Sequence, residues 1–293
     1  MATLRVIRRR ITSVRKTQQV TRAMKFVAAA KLRRAQQRIT NARPYADKMA
    51  EVVASLARRT DPARHPLLVA RPVRHLLLVP VTSDKGLCGA YNANVLRSTF
   101  DLIQSRSEQA EALAVSVVAI GKKGRDLLAY RGMEIEREFI GHFGHVEYVL
   151  ATEIAAYLIE VFQERRADEV TFIYNKFRSA AQQRVTIEPI LPLRLLAPQE
   201  ETAGVEEEDF LYEPSVDGVL SGLLARHLHT QVFRILLDAD ASEHGARMVA
   251  MGNATNNASD MITDLTRRLN RTRQAAITRE IIEVVSGADA LRG

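Results

Sequence analysis

Tryptophan is absent from the 293 residues, cysteine occurs once, and aromatic residues make up only 5%. The single cysteine, Cys88, permits no internal disulfide, so packing must hold the fold, and a reducing compartment fits. No run of eighteen apolar residues could span a bilayer, which leaves a chain that is soluble or docked on a membrane machine. Nine prolines and fourteen glycines are sparse and clustered, and disorder is not the first reading. Acid is scarce at one end only. The first 60 residues hold sixteen Lys or Arg against Asp47 and Glu51, a balance of +14, whereas the remainder balances to −6. The positive field therefore belongs to one segment. An Arg-rich, acid-poor start also marks organellar transit peptides, but here the periodic pattern continues far past any plausible cleavage site.

What is present is an apolar content of 46%, enough for a real core. Steps of three and four connect Leu4, Ile7, Ile11 and Val14, then Gln18, Thr21 and Lys25, then Ala28, Leu32, Ala35, Ile39 and onward to Leu56. That is a heptad seam with one polar interruption. Pro44 removes a hydrogen bond and predicts a bend near Arg43. At about 1.5 Å per residue the helix would run roughly 80 Å. From Ser215 to Ser286 there is no proline, and Met248, Met251, Thr255, Ala258, Ile262, Leu265, Leu269, Thr272 and Ala276 repeat the same steps. Ser215 suits an N-cap and Gly287 a stop, which gives a helix of roughly 105 Å. Two long stripes in one chain are most simply buried against each other as an antiparallel coiled coil closed by the middle region. The second helix then overhangs by about 15 residues, and its tip is single.

Between the helices, short β-rich runs alternate with amphipathic segments. Strands are expected in "VRHLLLVPVT", "LAVSVVAIG", "MEIEREF", "EVTFIYNKF" and "QQRVTIEPI", and helices over Asn92–Gln109, Lys122–Tyr130 and Val146–Arg166. This alternation predicts a doubly wound, Rossmann-like α/β domain, largely parallel, whose last two strands form a hairpin. The fold class is thus α/β plus a long antiparallel coiled coil. Its parts are 1–60 as first helix, 73–195 as central domain, 196–214 as an acidic connecting loop and 215–287 as second helix.

The catalytic inventory is thin. "SDKGLCGAYN" lies between a strand and a helix, and its glycines with Lys85 could cradle a phosphate. The spacing matches neither dinucleotide nor P-loop fingerprints, so Gly86, Cys88 and Gly89 read as a structural turn with Cys88 a buried small hydrophobe. "GKKGRD" reads as another strand-to-helix turn. His142 and His145, and His227 and His229, lack further ligands at metal spacing and read as surface histidines. No catalytic site, metal or cofactor is expected.

The basic helix suggests binding instead. Nucleic acid would be gripped through phosphates, but aromatic interleaving is limited to Phe26 and Tyr45. Membrane adsorption wants Trp, Phe and Leu, whereas this face is Ala, Val and Ile. A protein sleeve with an acidic wall is the third option. Around the polar interruption Val20, Ala23, Met24 and Val27 point the apolar surface away from the partner helix, and the overhanging tip keeps apolar residues all round.

Five ordered segments carry a resemblance: "ITSVRKTQQVTRAMKFVAAAKLRRAQ" with "ARPYA", "TSDKGLCGAYN", "FLYEP", "SEHGARMVAMGNATNNASDMI" and "RQAAITREIIEVVSGADAL". Together they are similar to the gamma subunit of F-type ATP synthases, the central rotor shaft, over essentially the whole chain. The resemblance implies a coiled coil inside a hexamer of three alpha and three beta subunits, and an α/β domain that stands with the epsilon subunit on the membrane c ring. It implies no catalytic site in this chain, because nucleotides bind elsewhere in the complex. By position, Met24, Lys25 and Arg247 resemble the level that meets the beta-subunit levers. Arg273, Gln274, Thr278 and Glu280 resemble the upper bearing contacts, and Leu211, Tyr212 and Glu213 the foot on the c ring. Lys85 stands where the family more often has arginine, and Gly252 and Asn256 where lysine and aspartate are commoner. No regulatory dithiol segment of chloroplast type is present. The motif starts almost at Met1, so no transit peptide is expected, and the cytoplasmic face of a bacterial plasma membrane, peripherally bound, is the implied location.

Overall fold

The computed structural model describes residues 2–58, 65–109, 113–144, 146–193 and 216–290. Among the described residues the elements follow in the order α1 (Ala2–Arg58), β1 (His75–Pro80), α2 (Tyr91–Gln109), β2 (Ala114–Ile120), α3 (Lys122–Tyr130), β3 (Ile135–Phe139), α4 (Tyr148–Gln163), β4 (Glu169–Phe177), β5 (Gln183–Leu191) and α5 (Val216–Ala290). The expected class, long terminal helices around a central α/β domain, is the one observed. The chain divides into two compact units, one of residues 1–28 with 247–293, the other of residues 29–246.

In the larger unit the five-stranded sheet has the order β3-β2-β1-β4-β5. β1 pairs in parallel with β2 and β4, and β2 with β3, while β4 and β5 are antiparallel. The hairpin is closed by reciprocal backbone bonds between Ser179 and Gln182 at 3.0 and 3.2 Å. Pro189 sits in the edge strand, where a missing N–H is tolerated. The alternating side chains of β1 feed two cores. Leu76 and Leu78 pack with Val95 and Leu96 of α2 and Leu128 of α3, whereas Leu77 and Val79 join Leu150, Ile154 and Leu158 of α4, Met49, Val53 and Leu56 of α1, and Leu224, Leu228 and Val232 of α5. Helices on both faces of a mainly parallel sheet explain its nearly continuous apolar strands.

In the smaller unit α1 and α5 are paired. Thr21 and Thr255 hydrogen-bond through their hydroxyls at 2.9 Å, and the place a Cβ would take on Gly252 lies 3.8 Å from Lys25 Cδ. Later residues of one helix meet earlier residues of the other, so the pair is antiparallel. The seam is buried or half-buried at Ile11, Val14, Gln18, Thr21 and Ala28, and at Met251, Thr255, Ala258, Ile262, Leu265 and Leu269. Two expectations need correction. Lys25 is exposed, and Met24 beside it is half-buried, because a strict heptad count drifts by about 20° per repeat on a straight helix. Gly287 does not stop α5, which continues to Ala290. α1 passes through Pro44 as one helix. The expected N-cap, Ser215, lies outside the described residues, as does the acidic loop.

Candidate functional site

The paired helices carry the sequence-derived contact residues. On α1 the outward surface beside the polar interruption is apolar and open: Val20 is 58% exposed, Phe26 61% and Val27 57%. A coiled-coil seam that buried these side chains would leave Thr21 outside, so the interruption serves two ends. It places one hydroxyl pair in the seam and turns a smooth apolar strip outward. Lys25 is exposed with its stem along Gly252, and a Cβ there would meet it in ordinary van der Waals contact. Arg247 is half-buried five residues before Gly252, about 7 Å along the α5 axis. Eight basic residues and no acid lie in α1 up to Ala28, and this strip therefore carries a positive potential.

Toward its end α5 is bare. Ile277, Ile281, Ile282, Val284 and Val285 are 48% to 72% exposed, and Arg273, Gln274, Thr278 and Glu280 are exposed among them. The foot residues Leu211, Tyr212 and Glu213 lie outside the described residues.

The two turns that invite a nucleotide are already filled. Asp84 Oδ1 accepts the Lys122 N–H at 3.0 Å, Ser83 O accepts that of Lys123 at 3.0 Å, and Thr82 Oγ1 accepts that of Gly124 at 2.8 Å. These are the donors that a phosphate at the start of α3 would need, and Asp84 would repel it. The Ser83 N–H is likewise used by Asn92 Oδ1 at 2.9 Å, and Asn92 Nδ2 lies 3.4 Å from Cys88 Sγ. Cys88 is buried, and Leu87 and Gly89 both take positive φ, 65° and 59°, in a turn that Gly86 opens. The geometry ties three loops together.

What sequence reasoning missed is a charged interior in α5. His244 lies with Nδ1 2.6 Å from Glu243 Oε2 and Nε2 3.5 Å from Asp240 Oδ1, and the side chains of all three are at most 4% exposed. Asp240 also accepts the Gly144 N–H at 2.9 Å, and the Tyr91 hydroxyl donates to Ala239 O at 3.0 Å. Burial pushes the Asp240 carboxyl up, and burial with the nearby Glu243, Cys88 and Asp240 raises the Tyr91 phenol well above its usual range. A signal existed in the run from Ile235 to Gly245, in which acids stand on several sides of one helix turn. The histidine expectation is corrected too. His227 and His229 are half-buried, and burial, then a neighbouring arginine, lowers the pKa of each. His142 is half-buried, and His145 lies outside the described residues.

A second buried carboxylate, Asp238, is raised to about 6, chiefly by burial and against the pull of Arg234, Lys176 and Arg43. The folded chain then holds this proton until about pH 6, while the unfolded chain releases it near 3.8. Stability contributed by the protonated form is full below pH 4 and is lost as pH rises through 6. Asp238→Asn should therefore be more stable than the parent at pH 8, by roughly 1–3 kcal/mol, and the gain should shrink toward pH 4. Urea unfolding at pH 4.5 and 8 reads this, and a difference between the two chains that does not change with pH would refute it.

The family model described as ATP synthase matches residues 3–291. The ATP synthase gamma chain of Moorella thermoacetica is 46% identical over 292 residues, covering 100% of both chains. A central-stalk chain of the Tetrahymena thermophila mitochondrial ATP synthase superposes with a TM-score of 0.60 at 27% identity, over 80% of this chain and 99% of that one. A chain of the Euglena gracilis enzyme reaches 0.69 at 22% identity, over 99% and 95%, and speaks for the fold alone. A full-length match to the family model and a full-length relative at this identity place the chain in one family: it belongs to the ATP synthase gamma chains.

Proposed function

We propose that this chain is the central rotor stalk of an F-type ATP synthase, coupling ion flow through a membrane c ring to ATP synthesis or hydrolysis in a surrounding hexamer of three alpha and three beta subunits. The observation that supports it most is the open apolar surface on a basic helix pair, ending in a bare α5 tip from Ile277 to Val285. An uncovered helix of this length, with isoleucine and valine outward, is a surface that another protein encloses. Met24, Lys25 and Arg247 are assigned to the level of the beta-subunit levers, whose acidic loops suit the positive strip. Arg273, Gln274, Thr278 and Glu280 are assigned to the upper bearing, and Leu211, Tyr212 and Glu213 to the foot on the c ring, beside the epsilon subunit. The small apolar side chains of Val20, Ala23 and Val27 let different neighbours pass without locking, so that rotation exchanges the surface each hexamer site meets and shifts its conformational balance. Catalysis belongs to the hexamer, and this chain needs no cofactor for the role. Among the described residues no helix is long and apolar enough to cross a membrane, which suits peripheral attachment through the complex, on the cytoplasmic side of a bacterial plasma membrane. The rival reading, a coiled-coil nucleic-acid binder, finds no support among the relatives, which are ATP synthase gamma chains.

The test is reconstitution with purified alpha and beta subunits. A complex containing one copy of this chain should hydrolyse MgATP faster than the hexamer alone, and no complex under conditions that form the hexamer would overturn the role. Deleting residues 277–293 should lower assembly yield or hydrolysis by several-fold. Equal yield together with equal hydrolysis would remove the tip from the bearing.

A further inference from the structure

Within the larger unit a cavity of about 330 Å³ opens between α1, α4, the end of β4 and α5. Its wall holds four aromatic side chains, Tyr45, Tyr148, Phe177 and Phe233, and the rings of Tyr148 and Phe233 meet edge to face at 5.4 Å. Asp238 lines the same cavity and is only 8% exposed, and among the described residues its carboxylate makes no hydrogen bond or ion pair. The carboxylate lines the cavity without a donor from the described residues, so a guest that fills the cavity and brings an N–H or O–H can pair with it. Arg43 and Lys176 line the same cavity, both exposed and neither in an ion pair among the described residues, and Arg234 and Asp47 line it as well. A cationic guest would be opposed by three like charges in this lining, Arg43, Lys176 and Arg234. A guest with a neutral donor and an acidic group meets complementary charge at both ends.

We infer that this cavity binds a small aromatic acid carrying an N–H or O–H donor: its ring lies against Tyr148, Phe177 and Phe233, its donor is taken by the Asp238 carboxylate, and its acid group sits between Arg43 and Lys176. The volume is at the small end of ligand sites, which suits a bicyclic ring of about ten heavy atoms with a short acid arm. The site involves none of the contact residues assigned to the rotor surface, and the inference stands apart from that reading. A guest there would touch both α1 and α5, and its binding would raise the melting temperature of the unit that holds them.

Indole-3-propionate is a suitable probe, because the chain has no tryptophan and all indole emission comes from the ligand. Titrating the full chain into the probe should raise its fluorescence anisotropy saturably, with half-saturation at about 0.1–1 mM. Asp238→Ala, which removes an unpaired buried carboxylate, should weaken binding about tenfold. In the parent the acid should bind at least about threefold more tightly than 3-ethylindole, and the double variant Arg43→Ala with Lys176→Ala should bring that ratio to about one. Both rim positions are exposed, so this ratio remains readable whatever Asp238→Ala does to folding. The inference is overturned by the absence of saturable binding, by equal affinity for the acid and 3-ethylindole in the parent, or by full affinity in a folded Asp238→Ala chain.

Discussion

Replacing His244 by alanine should cost about 3–5 kcal/mol of stability, among the largest losses any single substitution in this chain could cause. The ring stands 2.6 Å from Glu243 and 3.5 Å from Asp240, and solvent reaches none of the three side chains appreciably. Alanine removes the group that both carboxylates meet in a buried setting, and adds the cost of the cavity itself. Urea unfolding followed by circular dichroism gives the magnitude. A double-mutant cycle with Asp240→Asn gives the cause, since part of the loss should return when one carboxylate is neutralised. A single-variant loss below about 1 kcal/mol would mean that other groups carry the pair.

Gly121→Ala should be comparably severe, for a steric reason. The residue takes φ 90°, and a Cβ built there would lie 2.0 Å from the Thr82 carbonyl oxygen and 2.6 Å from its carbon. Neither atom can move aside, because the Thr82 N–H is bonded to Ile120 O at 2.8 Å and its hydroxyl to the same carbonyl at 3.0 Å. A left-handed conformation alone costs a non-glycine residue about 1–2 kcal/mol, and pushing two backbones apart adds several more. Gly132 is the matched control, with φ 72° and nothing within 4 Å of its added Cβ. Gly132→Ala should lose only about 1 kcal/mol. Equal melting temperatures for the two variants would show that the close approach at Gly121 is not what the fold depends on.

Much of this architecture was legible because its parts repeat on short periods. The limits of α3 and β4 coincide with the runs "KKGRDLLAY" and "EVTFIYNKF", whose periodicities of 3.6 and 2 change abruptly at Gly121 and Asp168. The seam from Ile11 to Leu56 followed the same logic. Lys25 escaped it because a seven-residue count accumulates angle, and near the polar interruption no large apolar side chain corrects the drift. The charged interior of α5 was illegible for another reason. Periodicity assigns a helix one buried face, yet Asp238, Asp240, Glu243 and His244 are buried by elements far away in sequence: the Gly144 loop, Tyr91 of α2 and the β4–β5 hairpin. Only the packing of these distant elements around α5 reveals that the helix has no exposed face there. The open apolar strip on α1 was legible too, since Val20 and Val27 fall off the seam and are exposed.

That enclosure governs how α5 responds to twist. From Ile235 to Gly245 eleven successive residues are buried, and each side of the helix meets a different neighbour. Ala180 O lies 3.1 Å from where a Cβ on Gly245 would stand, Asp240 holds the Gly144 N–H, and Ala239 O receives Tyr91. Advancing the helix about its own axis by a single residue, about 100°, would press Asp240 or Glu243 against an apolar wall and strand every one of these bonds. A smooth apolar cylinder in the same socket would slip. A cylinder with charged teeth on several sides is splined, and torsion entering this stretch is handed to the sheet with no lost motion.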